Sequence, residues 1–286
     1  MIRKIMKREF DIQSMIMTVL TMLTVVTSIL MGFLLYNRYG NAMRQMEIRD
    51  TQTLLQSTAN SLESYLRNMR QIGDTINYSV IQEIDVSDAQ FNQELSLLYE
   101  ANKDKIQSIV LCDNKGKLIG AEPVIVQKPG VEIADQAWFN IAVNEIENMH
   151  FSVPHIQNLF RDDSYRYHKV ISLSRSVDII DGGNPRNGVL LVDMKYSNIS
   201  DILAKINQES KGYYYLCDGE GNIIYHPHEL ELMRGLLEEN NADVASYKDG
   251  IYADRLNGEK RKVIINTIAY TGWKLVGVVS QNTQTD

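Results

Sequence analysis

The feature that most constrains this chain is an uncharged apolar run near its start. Residues 12–36 contain no Asp, Glu, Lys or Arg. As a helix the run extends about 38 Å at 1.5 Å per residue, enough to cross a hydrocarbon core of about 30 Å. Four basic and two acidic residues precede it, and positive charge stays on the cytoplasmic side of a membrane. The sequence therefore predicts a cytoplasmic tail over 1–11, a single-pass cell-membrane helix over 12–36, and residues 37–286 outside the cytoplasm.

A cleaved signal peptide is the alternative interpretation of the same run. A signal peptide has an apolar region of about 7–15 residues that ends at a small-x-small cleavage site. The run here is longer, and the stretch Leu34-Leu35-Tyr36-Asn37-Arg38 offers no such site. An uncleaved membrane anchor is therefore the favoured prediction.

The remainder of the chain is acidic. The whole protein has 286 residues and a net charge of −7, and residues 1–11 contribute four positive and two negative charges, or +2, so residues 12–286 carry −9. A nucleic-acid binder needs a basic face that neutralises phosphates, so the negative charge excludes a nucleic-acid partner. For the same reason this region has no basic face for anionic lipid. The hydrophobic fraction of 44% is that of a folded globular domain.

Residues 37–80 are predicted to form one long helix, because no Pro occurs between residues 1 and 122. Apolar or small residues follow a heptad pattern, namely Ile48, Leu55, Ala59, Leu62, Leu66, Met69, Gly73 and Ile76. Such a stripe fits either a dimeric coiled coil or a helix that packs along its own domain. Gln52 and Gly73 interrupt the coiled-coil pattern, so packing on the domain is favoured. A homodimer formed through the same helix is also expected.

Beyond residue 104 the pattern changes to short strands and contains an internal repeat. Strands are expected at 106–112, 117–120, 170–173, 188–193, 213–217, 222–226, 251–256, 261–269 and 273–280, with helices at 135–147 and 197–209. The segment Leu111–Ile119 aligns with Leu216–Ile224 at an offset of 105 residues and shares Leu, Cys, Asp, Gly and the final Ile. Each copy reads as a strand, an Asp-initiated turn with a Gly, and a return strand. Two related modules are therefore predicted, rather than two unrelated hairpins with similar turns.

The repeat also accounts for the two cysteines. Cys112 and Cys217 occupy equivalent positions in the two modules. They should lie far apart on buried strands, so no disulfide is expected between them. Catalysis by either thiol is not expected, because a reactive thiol needs exposure and an activating charge.

Four further stretches carry a resemblance to a known family: Leu62–Leu66, Asp135–Phe139, Gly188–Met194 and Thr271–Val276. Together with the anchor, the long helix and the two strand–DxxGxxI–strand hairpins, they resemble the double Cache sensor region of bacterial receptors over residues 38–281. The resemblance implies an α+β fold with an N-terminal transmembrane helix, a long α-helix, and then two PAS-like (Cache) modules with antiparallel sheets. It places the membrane-distal module at 81–209, the membrane-proximal module at 210–281, and a short lead to a second membrane helix at 282–286.

The same resemblance implies a role in signal transduction. The stretch Val170–Arg175 is most similar to YesM-like sensor histidine kinases, so the expected function is the extracytoplasmic sensing region of a receptor in a two-component system. The chain itself shows no phosphoacceptor helix or nucleotide-binding Gly motif and is expected not to be an enzyme. Whether it is a fragment or a natural truncation stays open. So does the output, since chemoreceptors and cyclic-dinucleotide enzymes use similar sensors.

In the family a small ligand binds the distal module, and the resemblance assigns six residues to that site: Trp138, Phe139, Tyr165, Tyr167, Arg175 and Asp193. Trp138 and Phe139 match an aromatic pair that lines the pocket, and Asp193 matches an acidic residue that accepts a ligand ammonium. Amino-acid-binding relatives carry an Arg two residues before the Trp, and here that position is Gln136. A neutral amide cannot make the bidentate contact of Arg with a carboxylate, so Arg161 or Arg175 would have to replace it.

Purely structural roles for these residues also stay open. Trp138 and Phe139 fit simple core packing, Asp193 fits a strand-end cap or a salt bridge, and the two tyrosines fit a surface loop. The segment His226-Pro227-His228-Glu229 is expected to be a corner rather than a metal site, because zinc needs three or four convergent ligands. No cofactor is expected. The competing function is a ligand-blind, membrane-anchored adhesion or protein-interaction module.

Overall fold

A computed structural model of the chain describes residues 12–123, 126–145, 149–161, 167–209 and 212–280. The chain divides into two compact units, one that ends at Asp50 and one that begins at Thr51. The segment 282–286, expected to lead to a second membrane helix, lies outside the described residues, as does Tyr165.

The first helix, α1, runs over Ile12–Ile76. Its N-terminal part is long and apolar enough to cross a membrane by length and composition, with a mean hydropathy of 2.2 over its most apolar stretch. Threonines in this part bond back to the helix itself, since Thr21 Oγ1 donates to Met17 O at 3.0 Å and Thr27 Oγ1 to Leu23 O at 3.0 Å. Each hydroxyl is thereby satisfied within the helix, as a membrane interior requires.

Within the second unit the heptad stripe of α1 is buried. Leu55, Ala59, Leu62, Leu66 and Met69 are each at most 2% exposed. A Cβ at Gly73 would lie 3.0 Å from Leu173 Cδ2, so the small residue permits close approach of the helix to a strand. The prediction that the stripe packs on its own domain is confirmed.

The first module contains a sheet with helices on its two sides. Its elements are α2 (Ala89–Asn102), β1 (Ile106–Asp113), β2 (Leu118–Glu122), α3 (Ala137–Asn144), β3 (His150–Phe151), β4 (His155–Ile156), β5 (Lys169–Asp181) and β6 (Asn184–Lys195). The strand order is β2-β1-β6-β5-β3, all pairs are antiparallel, and β4 also pairs with β5.

The second module repeats the central part of this arrangement. The helix α4 (Tyr196–Glu209) ends the first module, and the second module contains β7 (Tyr213–Cys217), β8 (Ile223–Tyr225), α5 (Glu229–Met233), α6 (Asn241–Ser246), β9 (Gly250–Leu256), β10 (Glu259–Thr267) and β11 (Lys274–Ser280). The order β8-β7-β11-β10-β9 is antiparallel throughout. The expected α+β class with two antiparallel modules is confirmed.

The two hairpins of the repeat match in detail. Asp113 Oδ1 accepts the backbone N–H groups of residues 115 and 117 at 2.9 and 2.8 Å, and Asp218 Oδ1 accepts those of residues 220 and 222 at the same distances. Both strands carry an irregularity immediately before the cysteine. Gly116 has φ 81°, and a Cβ there would lie 2.8 Å from Ala134 N. Only glycine fits that turn without strain.

Cys112 and Cys217 lie fully buried on the equivalent strands β1 and β7 of the two sheets. Burial raises the pKa of each thiol to about 12. These thiols therefore remain protonated and pack as small apolar groups.

Three contacts join the modules. Asn207, near the end of α4, pairs with Tyr214 much as a neighbouring strand would: its Oδ1 accepts Tyr214 N–H at 2.8 Å and its Nδ2 donates to Tyr214 O at 3.0 Å. Tyr196 Oη donates to Ile224 O at 3.1 Å. Lys169 Nζ donates to Glu229 Oε1 at 2.6 Å and lies 4.2 Å from the centre of the Tyr196 ring.

Two elements differ from the sequence analysis. It did not single out α2, which begins after Asp88, whose side chain accepts the Gln90 N–H at 3.2 Å. The strands predicted over 170–173 and 188–193 are also longer than expected, since β5 and β6 continue to a two-residue turn at Gly182-Gly183 with φ 58° and 75°. Asp85 fastens this turn by accepting both glycine N–H groups at 3.0 and 2.7 Å.

Candidate functional site

The candidate site lies on the face of the first sheet that points away from α1. Side chains alternate across a strand, and Leu173 of β5 faces α1 at Gly73, so Ser172 and Ser174 face the other way. On β6, Asp193 stands directly opposite Ser172 on β5 and Ser108 on β1. The three side chains therefore form one row across the middle of the sheet.

Asp193 is an acid buried without a lysine or arginine donor in this row. It is 1% exposed, and its two hydrogen bonds come from hydroxyl groups: Ser108 Oγ at 2.7 Å and Ser172 Oγ at 2.5 Å. Burial raises the pKa of the Asp193 carboxyl, and the two serine bonds and the nearby His155 offset this only in part. A carboxylate in such surroundings favours a cation that replaces its lost hydration.

His155 continues the row on β4. Its Nε2 lies 3.3 Å from Ser172 Oγ, and its Nδ1 lies 3.1 Å from Val153 O and 3.3 Å from Ser152 Oγ. Ser152 in turn accepts the Ser172 N–H at 2.9 Å. Sequence analysis missed His155, Ser108 and Ser172. The signal available for the serines was a polar residue at alternate positions of an otherwise apolar strand, Val170-Ile171-Ser172-Leu173-Ser174.

Trp138 and Phe139 begin α3 above the same face. They are 8% and 4% exposed, with ring centres 6.0 Å apart in an edge-to-face arrangement. Ser174 Oγ donates to Trp138 O at 3.1 Å, which fixes the tryptophan one row from Asp193. Both rings belong to an apolar cluster with Val110, Cys112, Leu159, Phe160, Val189 and Leu191. The geometry thus combines a well-packed apolar wall with a buried acid.

Two further predicted residues, Arg175 and Tyr167, lie away from this row, and Tyr165 lies outside the described residues. Arg175 lies on the opposite face of β5, because it alternates with Ser174; its Nη1 contacts Asp74 Oδ1 of α1 at 2.7 Å. Tyr167 is 86% exposed. Gln136, at the position where amino-acid-binding relatives carry Arg, bonds through Nε2 to Glu132 O at 3.2 Å.

The equivalent face of the second module also holds a buried acid, but with a cation. Glu239 accepts from Arg261 Nη2 at 2.7 Å and from Tyr213 Oη at 2.5 Å. Arg261 Nε also donates to Asp254 Oδ2 at 2.5 Å. The carboxylate of Glu239 is fully buried and the guanidinium of Arg261 is 7% exposed. This module therefore neutralises its own buried charge.

His226 takes part in this second cluster as a structural corner. Its Nδ1 accepts the His228 N–H at 3.0 Å, and its Nε2 lies 3.5 Å from Glu239 Oε1. Among the residues that the structure describes, no group of three or more His, Cys, Asp or Glu side chains is placed to hold a metal ion.

A separate, open depression of about 440 Å³ lies beside α1 and belongs to neither cluster. It is lined by Asn60, Glu63, Ser64, Arg67, Asn68 and Gln71. All six lie on a single helix and are polar, whereas small-ligand sites are concave and mostly apolar. The depression therefore lacks the apolar wall of a small-ligand site.

A long helix bearing two antiparallel sheets of one topology, with a buried acid bound by serine hydroxyl groups in the first sheet, defines a tandem PAS-like module. The Cache domain family model matches residues 40–285. The chain belongs to the Cache domain family.

Curated relatives are chemotaxis proteins. The methyl-accepting chemotaxis protein McpA of Bacillus subtilis is 23% identical over 248 residues, which cover 78% of this chain and 35% of that protein. The methyl-accepting chemotaxis protein TlpB of Bacillus subtilis is 21% identical, with 86% and 36% covered. This chain spans little more than a third of the length of these relatives.

Solved structures share the fold. The ligand-binding domain of the Pseudomonas fluorescens chemoreceptor CtaA, in complex with L-isoleucine, has a TM-score of 0.63 and 16% identity over 85% of this chain and 95% of that one. The ligand-binding domain of the Pseudomonas aeruginosa amino acid chemoreceptor PctC, in complex with GABA, has a TM-score of 0.59 and 17% identity over 84% and 99%.

Proposed function

We propose that this chain is the ligand-sensing region of a membrane receptor and that its first module binds a small molecule with a cationic amine. The observation that carries the proposal is Asp193, a buried acid held only by hydroxyl donors in its row. A buried charge without a partner is costly, and a ligand ammonium would compensate it. Trp138 and Phe139 would supply the apolar wall that such ligands need.

The amino-acid complexes of the structural neighbours support the ligand class. Two of these complexes contain L-isoleucine and GABA, and each of these molecules carries an ammonium group. At 16–17% identity they indicate the fold rather than the ligand. Gln136 and the placement of Arg175 argue against the carboxylate contact of an ordinary amino acid, so the amine is the part of the ligand that we propose.

The output we propose is that of a chemoreceptor, because the curated relatives are methyl-accepting chemotaxis proteins. The sensor histidine kinase expected from the sequence is the alternative output. In either case we propose that the N-terminus is cytoplasmic, that residues 37–286 lie outside, and that the chain works as a homodimer. The proposed module limits are 81–209 and 210–281.

The test is ligand-induced stabilisation of the purified chain with a panel of amines and amino acids that includes L-isoleucine, GABA and asparagine. A ligand present at about 100 times its Kd stabilises the fold by about 2.7 kcal/mol, which raises Tm by several degrees. We expect Asp193→Asn to abolish this shift and Trp138→Phe to reduce it.

The matched control is Asp178→Asn, which makes the same chemical change at an exposed position of β5. This variant should respond to the ligand as the unmodified chain does. A ligand shift that survives in Asp193→Asn would refute the assigned site. A chain that no compound stabilises, yet that captures a protein partner, would favour the ligand-blind interaction module.

A further inference from the structure

The second module presents a small apolar surface to solvent at α5. Leu230, Met233 and Leu236 are 68%, 77% and 73% exposed, and we call these three residues the α5 patch. Single exposed apolar side chains are ordinary, whereas contiguous apolar patches mark sites of contact. Among the described residues that follow α1, only Val126 and Tyr167 have large hydrophobic side chains of similar or greater exposure.

The way in which α5 ends places the three side chains together. Leu230 and Met233 are three residues apart on one helical turn, so they share a face. Gly235, with φ 66°, donates its N–H to the carbonyl three residues before it at 3.0 Å, and Leu236 donates its N–H to the carbonyl five residues before it at 2.9 Å. Such a Schellman ending is commonly accompanied by an apolar contact between positions that here are Leu236 and Leu230. The α5 patch therefore lies on one side of this segment.

The patch does nothing for the stability of α5 within one copy of the chain. None of the five residues Glu229–Met233 is buried, and an isolated helix of this length is unstable in water. Helices in globular proteins obtain most of their stability by packing an apolar face. The face that would stabilise α5 in this way points to solvent.

A second copy of this chain is the partner that fits the charges around the patch. Exposed Glu231 and Glu238 lie on either side of exposed Arg234 in the sequence. In a two-fold contact the same surface of both copies meets itself, so Arg234 of each copy can meet an acid of the other. Anionic lipid is attracted by basic segments, and this segment holds more acids than bases.

The state of α1 favours the same partner. Its heptad stripe, which the sequence also allowed as a dimeric coiled coil, is buried in the domain, with Leu62 and Leu66 each 0% exposed. That stripe is therefore not available to a second copy. The proposed membrane anchor would confine copies to one plane and raise their effective concentration. A patch that covers less than the about 800 Å² per partner of a standard interface can then contribute to pairing.

We propose that the α5 patch is a contact between two copies of this chain, related by a two-fold axis near Met233. The inference rests on the homodimer of the proposed function and adds the surface through which the copies meet. Glu229, the first residue of α5, accepts from Lys169 of β5 at 2.6 Å. The contact therefore lies beside the joint between the two modules.

Cysteine cross-linking in vesicles tests the contact. The full chain with Met233→Cys is reconstituted at low density in phosphatidylcholine vesicles and treated with a short bismaleimide. Cys112 and Cys217 are buried, and burial raises the pKa of each thiol to about 12, so the unmodified chain should not react. We expect a covalent dimer in several-fold higher yield than for the control Leu97→Cys, on α2, where the native side chain is 57% exposed. Both variants should take up a monofunctional maleimide equally.

Charge reversal then identifies the partner as a second copy. In the Met233→Cys chain, Arg234→Glu should lower the yield of cross-linked dimer, because only acids then face one another. Glu231→Arg combined with Glu238→Arg should lower it as well, because only bases do. A mixture of the two reversed chains should restore cross-linking between unlike copies. Circular dichroism checks that these exposed substitutions leave the fold intact. A mixture without rescue would overturn the two-fold contact.

The photobleaching steps of a dye at the C-terminus measure the oligomeric state independently. Dimers that cross-link equally at the Met233→Cys and Leu97→Cys positions overturn this inference and leave the homodimer of the proposed function intact. Monomers overturn both. Quenching of a dye on Met233→Cys by brominated lipid, without cross-linking, would assign the patch to the membrane and overturn the contact between copies. None of these results bears on ligand binding at Asp193, which thermal shifts test separately.

Discussion

The two modules place a buried acid over the same sheet face and treat it in opposite ways. In the first module Asp193 stands opposite Ser108, and hydroxyl groups surround it. In the second, the register places Val278 opposite Tyr213, and the acid of that face, Glu239, is bound by Arg261. One module compensates its buried charge with a guanidinium, and the other binds its acid with two serine hydroxyl groups.

The pKa directions express the same difference. Burial raises the pKa of Asp193, and its hydroxyl partners do not reverse this. Burial acts on Glu239 in the same sense, but hydrogen bonds from His226, Arg261 and Tyr213 outweigh it and lower the pKa. A buried acid that is paired with a cation stabilises the fold. A buried acid that lacks such a partner has a perturbed pKa of the kind that is common at binding sites.

The largest expected effect comes from removing the internal cation. Arg261→Met leaves Glu239 and Asp254 as uncompensated acids, and we expect a loss of about 3–5 kcal/mol in the free energy of unfolding. Urea unfolding followed by circular dichroism measures it. Arg255→Met is the matched control on exposed β9 and should change stability by less than about 0.5 kcal/mol. A small loss for Arg261→Met would mean that the second module does not depend on its ion pairs.

The next effect is a dependence on pH that belongs to the second module. The folded-state pKa of Glu239 lies below its ordinary value of 4.5. Its stabilising contribution is therefore present above about pH 4.5 and is lost as pH falls through the lower folded value. We expect Glu239→Gln to cost on the order of 3 kcal/mol at neutral pH and the difference to narrow in acid. Denaturation midpoints measured at several pH values below 5 test this; a constant difference would contradict it.

A smaller effect of opposite sign is expected in the first module. The folded-state pKa of Asp193 is raised, so ionisation costs stability as pH rises through that value. Asp193→Asn should then be more stable than the unmodified chain at neutral pH, by about 1 kcal/mol, with the gain absent in strong acid. Thermal unfolding across the pH range tests the sign, with Asp178→Asn as the neutral control. A loss of stability at neutral pH would show that Asp193 has a compensating partner.

The smallest effect lies at the joint between the modules. The Lys169 and Glu229 side chains are 31% and 46% exposed, and such pairs contribute about 0.2–1 kcal/mol. We expect Lys169→Met to reduce stability by at most about 1 kcal/mol, with exposed Lys205→Met of α4 as the control. Hydrogen exchange should become faster in both β5 and α5 if the contact couples the modules, and in neither if it does not.

Local patterns predicted the fold well, because the strands and the repeat depend on alternation and on turn residues near one another in sequence. The helix α2 escaped notice because its apolar residues, such as Phe91 and Leu95, are few and its cap is a single Asp. The site was harder, since Ser108, His155 and Asp193 meet only through strand order. Arg175 was predicted to lie at the site but lies on the opposite face of β5, because neighbouring residues of a strand point to opposite faces of the sheet.

The pairing of Asn207 with Tyr214 has a mechanical consequence. An amide that bonds to both the N–H and the C=O of a strand residue resists rotation as well as separation. The end of α4 and the start of β7 are therefore coupled as a stiff link rather than a loose hinge. If the first module displaced α4, the start of β7 would therefore be expected to move with it.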